Sequence, residues 1–198
     1  MRKTDTKERI IATALKQFAS EGFAAASIRK MAKEVGIRES AFYNHFSSKD
    51  EILNEIFARF GTKGKIAALL SDELLEQIDK PKKFLTLFVE KLFSAWEEEN
   101  EKLFFNLLTK EATSKRENSF TLFDEINEME SVWRFVFEQM IKFKTIKKHE
   151  PETLANEFSA PLFFFRIKYF ATEDARARKK IKKEIAKHIE FFVDSIAG

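Results

Sequence analysis

The chain of 198 residues has no cysteine, three histidines, five glycines and three prolines. The lack of cysteine excludes disulfide bonds and thiolate metal ligands, and the histidines are too scattered along the chain to suggest a metal site. The longest uninterrupted apolar run, residues 160–165, is far shorter than the roughly 20 residues that span a bilayer. Residues 1–5 lack the apolar segment of a signal peptide. We therefore expect a cytoplasmic protein with no metal, no cofactor and no membrane partner.

Apolar side chains recur every three to four residues along most of the chain, which is the period of an amphipathic helix. No alternating strand pattern and no internal repeat interrupts this period, and helix-breaking residues are scarce. The pattern therefore predicts an all-α protein. The predicted helices include residues 4–21, 38–45, a connecting helix from 49, 152–171 and 173–196, with a polar break at 114–119.

Residues 27–49 are the most informative segment, because two short amphipathic helices are separated there by Gly36. Glycine tolerates the positive φ that a sharp turn between helices requires. The apolar residues on either side each share one helical face: Met31, Ala32 and Val35 before the glycine, and Ile37, Ala41, Phe42 and Phe46 after it. This arrangement is typical of a helix-turn-helix, whose second helix enters the DNA major groove.

The flanking residues make the pattern more specific. Ala14, Phe18, Gly22 and Phe23 precede it, and residues 42–53, Phe-Tyr-Asn-His-Phe-Ser-Ser-Lys-Asp-Glu-Ile-Leu, complete it. With them, the region resembles the DNA-binding domain of TetR-type (TetR/AcrR-type) transcriptional regulators. The resemblance implies an N-terminal three-helix DNA-binding domain at residues 1–48 and a connecting helix over about 49–70. A larger helical domain for effector binding and dimerisation would then occupy residues 71–198.

The polar residues of the second helix are the candidates for DNA contact, because its apolar residues must face neighbouring helices. Arginine suits guanine and asparagine suits adenine in the major groove. The resemblance adds residues of the helix before Gly36 and of the segment at the end of the second helix. They occupy family positions that contact base edges or phosphates. The predicted DNA-binding residues are Ser27, Arg29, Arg38, Glu39, Ser40, Tyr43, Asn44, His45 and Lys49.

Several of these residues have alternative interpretations. Tyr43 could be an ordinary packing aromatic, and His45 could stabilise the negative end of a helix dipole. Lys49 could be a solvated surface lysine. Glu39 could accept a hydrogen bond from cytosine or repel phosphate at wrong sites. Arg38 does not cap a helix as the Ser or Thr of many relatives does, so the start of its helix stays open.

The distribution of charge agrees with a DNA-binding N-terminus. Residues 1–50 contain ten Lys and Arg against six Asp and Glu, whereas the other 148 residues contain 25 against 26. The basic excess of the whole chain, a net charge of +3, thus lies on the segment that resembles a DNA reader. Such a local excess is the electrostatic footprint expected for phosphate binding.

Phenylalanine is unusually frequent, with 23 residues against two Tyr and two Trp. Its side chain offers apolar area without a hydrogen-bonding group, so a cavity among these rings would favour an apolar or flat aromatic ligand. The alternative is that rings at helical spacing simply form a core. The residues predicted to line an effector pocket are Phe88, Trp96, Phe104, Leu108, Trp133, Phe137 and Phe165.

The last two predicted helices each carry an apolar face. Paired with the same helices of a second copy, they would form a four-helix interface, which is how the resembled family dimerises. The alternative is that both faces pack only within their own domain. The residues predicted for the dimer interface are Phe158, Leu162, Tyr169, Ile185, Ile189 and Phe192.

These observations favour a homodimeric repressor that leaves a palindromic operator when a small apolar or aromatic molecule binds. The predicted partners are double-stranded DNA, a second copy of the chain and the small-molecule effector. One alternative is a helical ligand-binding or partner-binding protein whose DNA-binding domain is inactive; another is an activator, or a repressor without an effector. We expect no enzyme, because no nucleophile–base pair, glycine-rich phosphate loop or metal-ligand spacing is visible.

Overall fold

The computed structural model describes residues 3–112 and 121–197, which form eleven helices and no strand. The helices are α1 (Lys3–Glu21), α2 (Ile28–Val35), α3 (Glu39–Phe42), α4 (Lys49–Phe60), α5 (Thr62–Leu69), α6 (Asp72–Leu75), α7 (Pro81–Trp96), α8 (Glu99–Glu111), α9 (Leu122–Lys142), α10 (Pro151–Phe170) and α11 (Ala175–Ile196). The predicted all-α fold is confirmed for this part of the chain. None of these helices is both long and apolar enough to cross a membrane. The polar break predicted at 114–119 lies outside the described residues.

The predicted connecting helix is divided in two, because the backbone becomes extended at Gly61 between α4 and α5. A Cβ on Gly61 would lie 2.4 Å from the carbonyl oxygen of Phe57 and 2.8 Å from the Glu125 carboxylate. Glu125 is buried and accepts hydrogen bonds from the N–H of Thr62 (2.6 Å) and from its hydroxyl (2.7 Å). A contact with a residue distant in sequence therefore accompanies the helix break.

The described residues divide into two compact units. The first contains residues 3–65, 98–112 and 121–125, so it joins α1–α4 and the start of α5 with α8 and the first residues of α9. Within it, α8 packs along α1, and the ring of Phe104 lies 5.3 Å from that of Phe57. The compact unit is therefore larger than the predicted DNA-binding domain of residues 1–48.

The second unit contains residues 66–97 and 126–197, with α7, α10 and α11 packed around a core of aromatic rings. The Trp133 ring lies 4.2 Å from that of Phe158 and 4.6 Å from that of Phe88. Packing of this kind favours the interpretation of these rings as core residues. The assignment of residues 71–198 to effector binding and dimerisation stays a prediction.

Candidate nucleic-acid interface

The turn between α2 and α3 has the geometry that the sequence predicted. Gly36 has a φ of +76° in the left-handed region. Its N–H donates to the carbonyl oxygen of Lys33 (3.1 Å), and the N–H of Ile37 donates to that of Ala32 (2.9 Å). These two bonds form a Schellman motif, which satisfies carbonyl groups at the end of a helix. The turn fixes the direction in which α3 leaves α2.

The segment after this turn presents polar side chains outward and anchors itself by two rings. Phe42 and Phe46 are fully or almost fully buried. Tyr43 is 51% exposed, so its side chain is not a buried packing aromatic. The other exposed side chains of the segment are Arg38, Glu39, Ser40 and Asn44. All five candidates from the predicted second helix thus lie on the surface of one short segment.

The α-helical part of this segment is shorter than predicted. Instead of residues 38–45 it covers one turn, α3, and the N–H groups of Asn44 and His45 donate to carbonyl groups three residues earlier. The Arg38 side chain makes no capping hydrogen bond at its start. A short helix with an unassisted first turn agrees with the missing Ser or Thr at this position.

The outer side of α2 forms a shallow groove beside α3. Its cavity volume is about 590 Å³, and Arg29, Lys30, Lys33 and Glu39 are among its lining residues. Ser27 also lines it; this residue occupies the N-cap position of α2, but its hydroxyl makes no capping bond. The groove therefore combines three cationic side chains of α2 with one carboxylate, Glu39, of α3.

The last two DNA-binding candidates differ in their surroundings. His45 is half-buried where the turn after α3 ends. Lys49 is also half-buried, and its ammonium group donates to the carbonyl oxygens of Phe23 (2.9 Å), Ala24 (3.3 Å) and Ala26 (2.8 Å). Lys49 is thus bonded within the protein, unlike the solvated lysine of the alternative interpretation. Its predicted phosphate contact has no direct support in these bonds.

The start of α4 is capped by the side chain of Ser48, its N-cap residue. The N–H of Glu51 donates to the hydroxyl of Ser48 (3.1 Å). The Glu51 carboxylate bonds the residue that precedes Ser48. It accepts hydrogen bonds from the N–H of Ser47 (2.6 Å) and from the Ser47 hydroxyl (2.7 Å). The Ser47 N–H, and then its hydroxyl, lower the pKa of Glu51 below its ordinary value.

Two arginines hold α1 against the helices that carry the interface. Arg9 donates to the carbonyl oxygen of Val35 at the end of α2. Arg59 of α4 bonds Glu8 of α1 and also pairs with Glu55, 2.7 Å away on its own helix. Only the Glu55–Arg59 spacing of four residues is a signal that the sequence offers. The other contacts join distant residues, and sequence reasoning missed them.

The predicted pocket residues do not form one cluster. Phe104 and Leu108 are buried on α8 in the first unit, whereas the other five residues belong to the second unit. Of those five, Phe88, Trp96, Trp133 and Phe137 are core residues, and Phe165 packs against that core. The indole N–H of Trp96 is buried, and no acceptor among the described residues lies within hydrogen-bonding distance of it.

The residues predicted for the dimer interface are in the core of the second unit, which corrects the choice of helix face. They are at most 5% exposed: Phe158, Leu162, Tyr169, Ile185, Ile189 and Phe192. The large apolar residues that the same two helices expose are Phe164 and Ile167 on α10 and Phe191 on α11. Helix α10 carries apolar residues on several sides, so its sequence did not reveal which face is covered.

Comparison with known families identifies the N-terminal region. Residues 10–56 match the family model described as bacterial regulatory proteins of the tetR family. A segment of 49 residues is 51% identical to the HTH-type transcriptional regulator YerO of Bacillus subtilis, and one of 54 residues is 35% identical to SrpR of Pseudomonas putida. These matches cover 25% and 27% of this chain. The chain covers only 17% and 25% of the lengths of those relatives.

Comparison with solved structures extends the likeness to the whole fold. SmeT, the repressor of the SmeDEF multidrug efflux pump of Stenotrophomonas maltophilia, has a TM-score of 0.73 at 13% identity, over 97% of this chain and 90% of its own. A TetR-family regulator from Mesorhizobium loti has a TM-score of 0.69 at 15% identity, over the full length of both chains. Identities this low establish a shared fold and not a shared ligand.

Proposed function

We propose that the chain, whose residues 10–56 match the model of the tetR family of bacterial regulatory proteins, is a homodimeric repressor of that family. In this proposal the dimer binds a palindromic operator in double-stranded DNA. A small apolar or aromatic molecule that binds the second unit releases it.

The observation that carries the DNA-binding proposal is the polar surface of residues 38–44. Their outward side chains include a guanidinium, a carboxylate, a phenol and an amide, while Phe42 anchors the segment from inside. Arg38 and Asn44 have the donor and acceptor groups that read guanine and adenine in the major groove. Ser27, Tyr43 and His45 are assigned to phosphates, which set the register of the protein on the duplex.

A palindromic site follows from the proposed dimer. Two copies of a recognition helix that read successive major grooves lie one DNA turn apart, about 34–36 Å. The exposed rings of Phe164 and Phe191 support a dimer through α10 and α11, since large apolar side chains on a surface often mark an interface. The interface is therefore proposed on the outward face of these helices and not on the residues first predicted.

The effector proposal has two supports in the second unit. Its interior is rich in phenylalanine and tryptophan, and the buried Trp96 N–H has no acceptor among the residues that the structure describes. Buried polar groups in folded proteins are nearly always hydrogen-bonded, so a ligand with an acceptor atom suits this position. A 100-fold loss of DNA affinity on ligand binding requires about 2.7 kcal/mol of coupling, an ordinary value for allostery.

The DNA-binding proposal is tested by fluorescence anisotropy with labelled duplexes that tile the region upstream of the chain's own gene. We expect one duplex to bind at least about a thousandfold more tightly than a shuffled duplex of the same composition. Equal affinity for all duplexes would contradict operator recognition. No binding at low ionic strength would favour the alternative of a ligand-binding or partner-binding protein with an inactive DNA-binding domain.

The effector proposal is tested by native mass spectrometry of the protein purified from cells. We expect a retained small molecule that dissociates on denaturation, and its addition should weaken operator binding. Trp96→Phe keeps the ring and removes the N–H, so it should reduce retention of a ligand that uses this donor. A retained molecule that leaves operator affinity unchanged would contradict its role as an effector.

A further inference from the structure

The loop between α1 and α2, residues 22–27, is held from two sides at the same residue. The N–H of Phe23 donates to the Glu111 carboxylate (3.0 Å), and the carbonyl oxygen of Phe23 accepts from the Lys49 ammonium group (2.9 Å). Lys49 begins α4 and Glu111 ends α8. Two helices that are distant in sequence thus both form hydrogen bonds with Phe23. All of these residues lie in the first unit.

Lys49 uses its full hydrogen-bonding capacity inside the protein. An ammonium group has three N–H donors, and three carbonyl groups of the loop accept from it at 2.8–3.3 Å. The Lys49 nitrogen also lies 4.7 Å from the centre of the Phe23 ring, within the range of a cation–π contact. A phosphate contact would require Lys49 to give up bonds that it already makes.

Glu111 is placed to hold the loop because its helix is fixed on α1. Lys110, the preceding residue, donates to the carbonyl oxygen of Ser20 near the end of α1. Gly22 has a φ of +82° and starts the loop. The loop ends at Ser27, the N-cap residue of α2, directly after the Ala26 carbonyl that Lys49 binds. The position of this loop therefore sets the position of α2 and of the basic groove.

We propose that Lys49 and Glu111 are positioning residues of the DNA reader, and that Lys49 clamps the loop of residues 22–27 and does not bind phosphate. The proposal rests on the proposed function only where it concerns DNA. Because Glu111 ends α8, its bond to Phe23 also connects this helix directly to the loop that leads into α2.

The clamp is tested by amide hydrogen exchange of the full chain, followed by NMR at Phe23 and Ala26. Lys49→Met keeps the apolar stem and Glu111→Ala removes the acceptor. Both should speed exchange at these amides about tenfold or more relative to the amide of Leu15 in the centre of α1. Glu111→Gln retains an acceptor oxygen and should restore slow exchange at Phe23. Unchanged relative exchange at Phe23 in Glu111→Ala would overturn the clamp.

The role of Lys49 is tested by the salt dependence of binding to a 30-base-pair duplex of arbitrary sequence, which reports phosphate contacts. We expect Lys49→Met to retain the wild-type slope of log K against log salt concentration. The charge-matched control Lys16→Met, on an exposed lysine paired with Glu99 at 3.9 Å, should retain it too. A slope reduced by about 1 in Lys49→Met alone would overturn the assignment.

The two proposals fail in different ways. If the wild-type protein binds no duplex at low ionic strength, the proposed function fails, but the exchange comparison at Phe23 still decides whether Lys49 and Glu111 hold the loop. If the wild-type protein binds DNA and both variants exchange like the wild type, the clamp alone fails.

Discussion

At the scale of single residues, the candidate interface alternates buried anchoring side chains with exposed polar ones. Phe42 and Phe46 are buried, whereas Tyr43 and Asn44 between them are exposed. The exposed side-chain amide of Asn44 is accessible to a base edge. Substitutions here should change DNA affinity with little effect on the free energy of unfolding.

Asn44→Ala should weaken binding to the chain's operator by about 1–3 kcal/mol, concentrated at particular base pairs, because an asparagine reads adenine through paired hydrogen bonds. The measurement is anisotropy against a panel of operators with single base-pair changes. Asn127→Ala, on an exposed asparagine of α9, is the matched control and should bind like the wild type. A uniform loss across the panel would indicate that Asn44 contacts the DNA backbone.

Glu51 should make the stability of the first unit depend on pH. Its folded-state pKa lies below the ordinary value because of the Ser47 N–H and hydroxyl. The contribution is therefore fully present above the unfolded-state pKa of 4.5 and is lost as the pH falls through the folded-state pKa. Urea unfolding of the wild type and of Glu51→Gln should differ at neutral pH and converge in acid. A constant difference across this range would contradict the prediction.

The sequence allowed the exposure of Arg38, Glu39, Ser40, Tyr43 and Asn44 to be predicted, because their apolar neighbours follow a clear helical period. Their role in base recognition stays a prediction. The sequence did not reveal the bonds of Lys49, since its three acceptors are backbone carbonyl groups more than twenty residues away. Backbone groups have no sequence signature. The same reason explains why the Glu111–Phe23 bond was not predicted.

At the scale of elements, two helix ends show how the left-handed conformation is used. Gly36 and Lys144 both occupy it, with φ values of +76° and +59°. After α9, the N–H of Lys144 donates to the carbonyl oxygen of Ile141, and the N–H of Thr145 donates to that of Met140, both at 3.0 Å. Both ends are thus Schellman motifs. The first has glycine, the favoured residue, at the left-handed position, and the second has lysine there.

Gly36→Ala should destabilise the protein by about 1 kcal/mol, because an L-residue is strained in the left-handed region. A Cβ at this position meets no atom within 4 Å, so crowding adds nothing. Gly36→Asn should cost less, since asparagine tolerates this conformation. Urea unfolding provides the measurement, and equal stability of all three proteins would show that the turn is not strained.

Lys144→Gly should have the opposite effect and stabilise the protein by about 0.5–1 kcal/mol, because the relief of strain exceeds the greater freedom of glycine in the unfolded chain. Lys142→Gly is the matched control. Lys142 is exposed in the last turn of α9, and glycine there should destabilise by about 1 kcal/mol. Thermal or urea unfolding of the two variants would reveal opposite signs; equal signs would refute the prediction.

The elements that sequence reasoning described well are those defined by local patterns. The bounds predicted for the last two helices, 152–171 and 173–196, are within two residues of α10 and α11. The prediction of one continuous connecting helix was wrong at Gly61, where the helix breaks. The break accompanies a buried contact between Thr62 and Glu125, which are 63 residues apart, and no local pattern indicates such a contact. Helix α3 was predicted too long because apolar spacing continues through the turn at residues 43–45.

At the scale of the whole molecule, the proposed dimer depends on the outward face of α10 and α11. Light scattering should give about twice 23.2 kDa for the wild type. Phe191→Glu should give a monomer at micromolar concentration, because it places a charge on a residue that is 73% exposed in the single chain. Phe135→Glu, on a similarly exposed ring of α9, is the matched control and should remain dimeric. A monomeric wild type would contradict the dimer.

The first unit is assembled from separate stretches of the chain, because α8 covers α1 and supplies Glu111 to the Phe23 N–H. A hybrid regulator made by exchanging only residues 1–65 with those of another protein would combine the new α1 with a foreign α8. An exchange of DNA specificity between such proteins therefore requires two additional crossovers, one on each side of α8 (Glu99–Glu111). This helix is then exchanged together with α1, on which it packs.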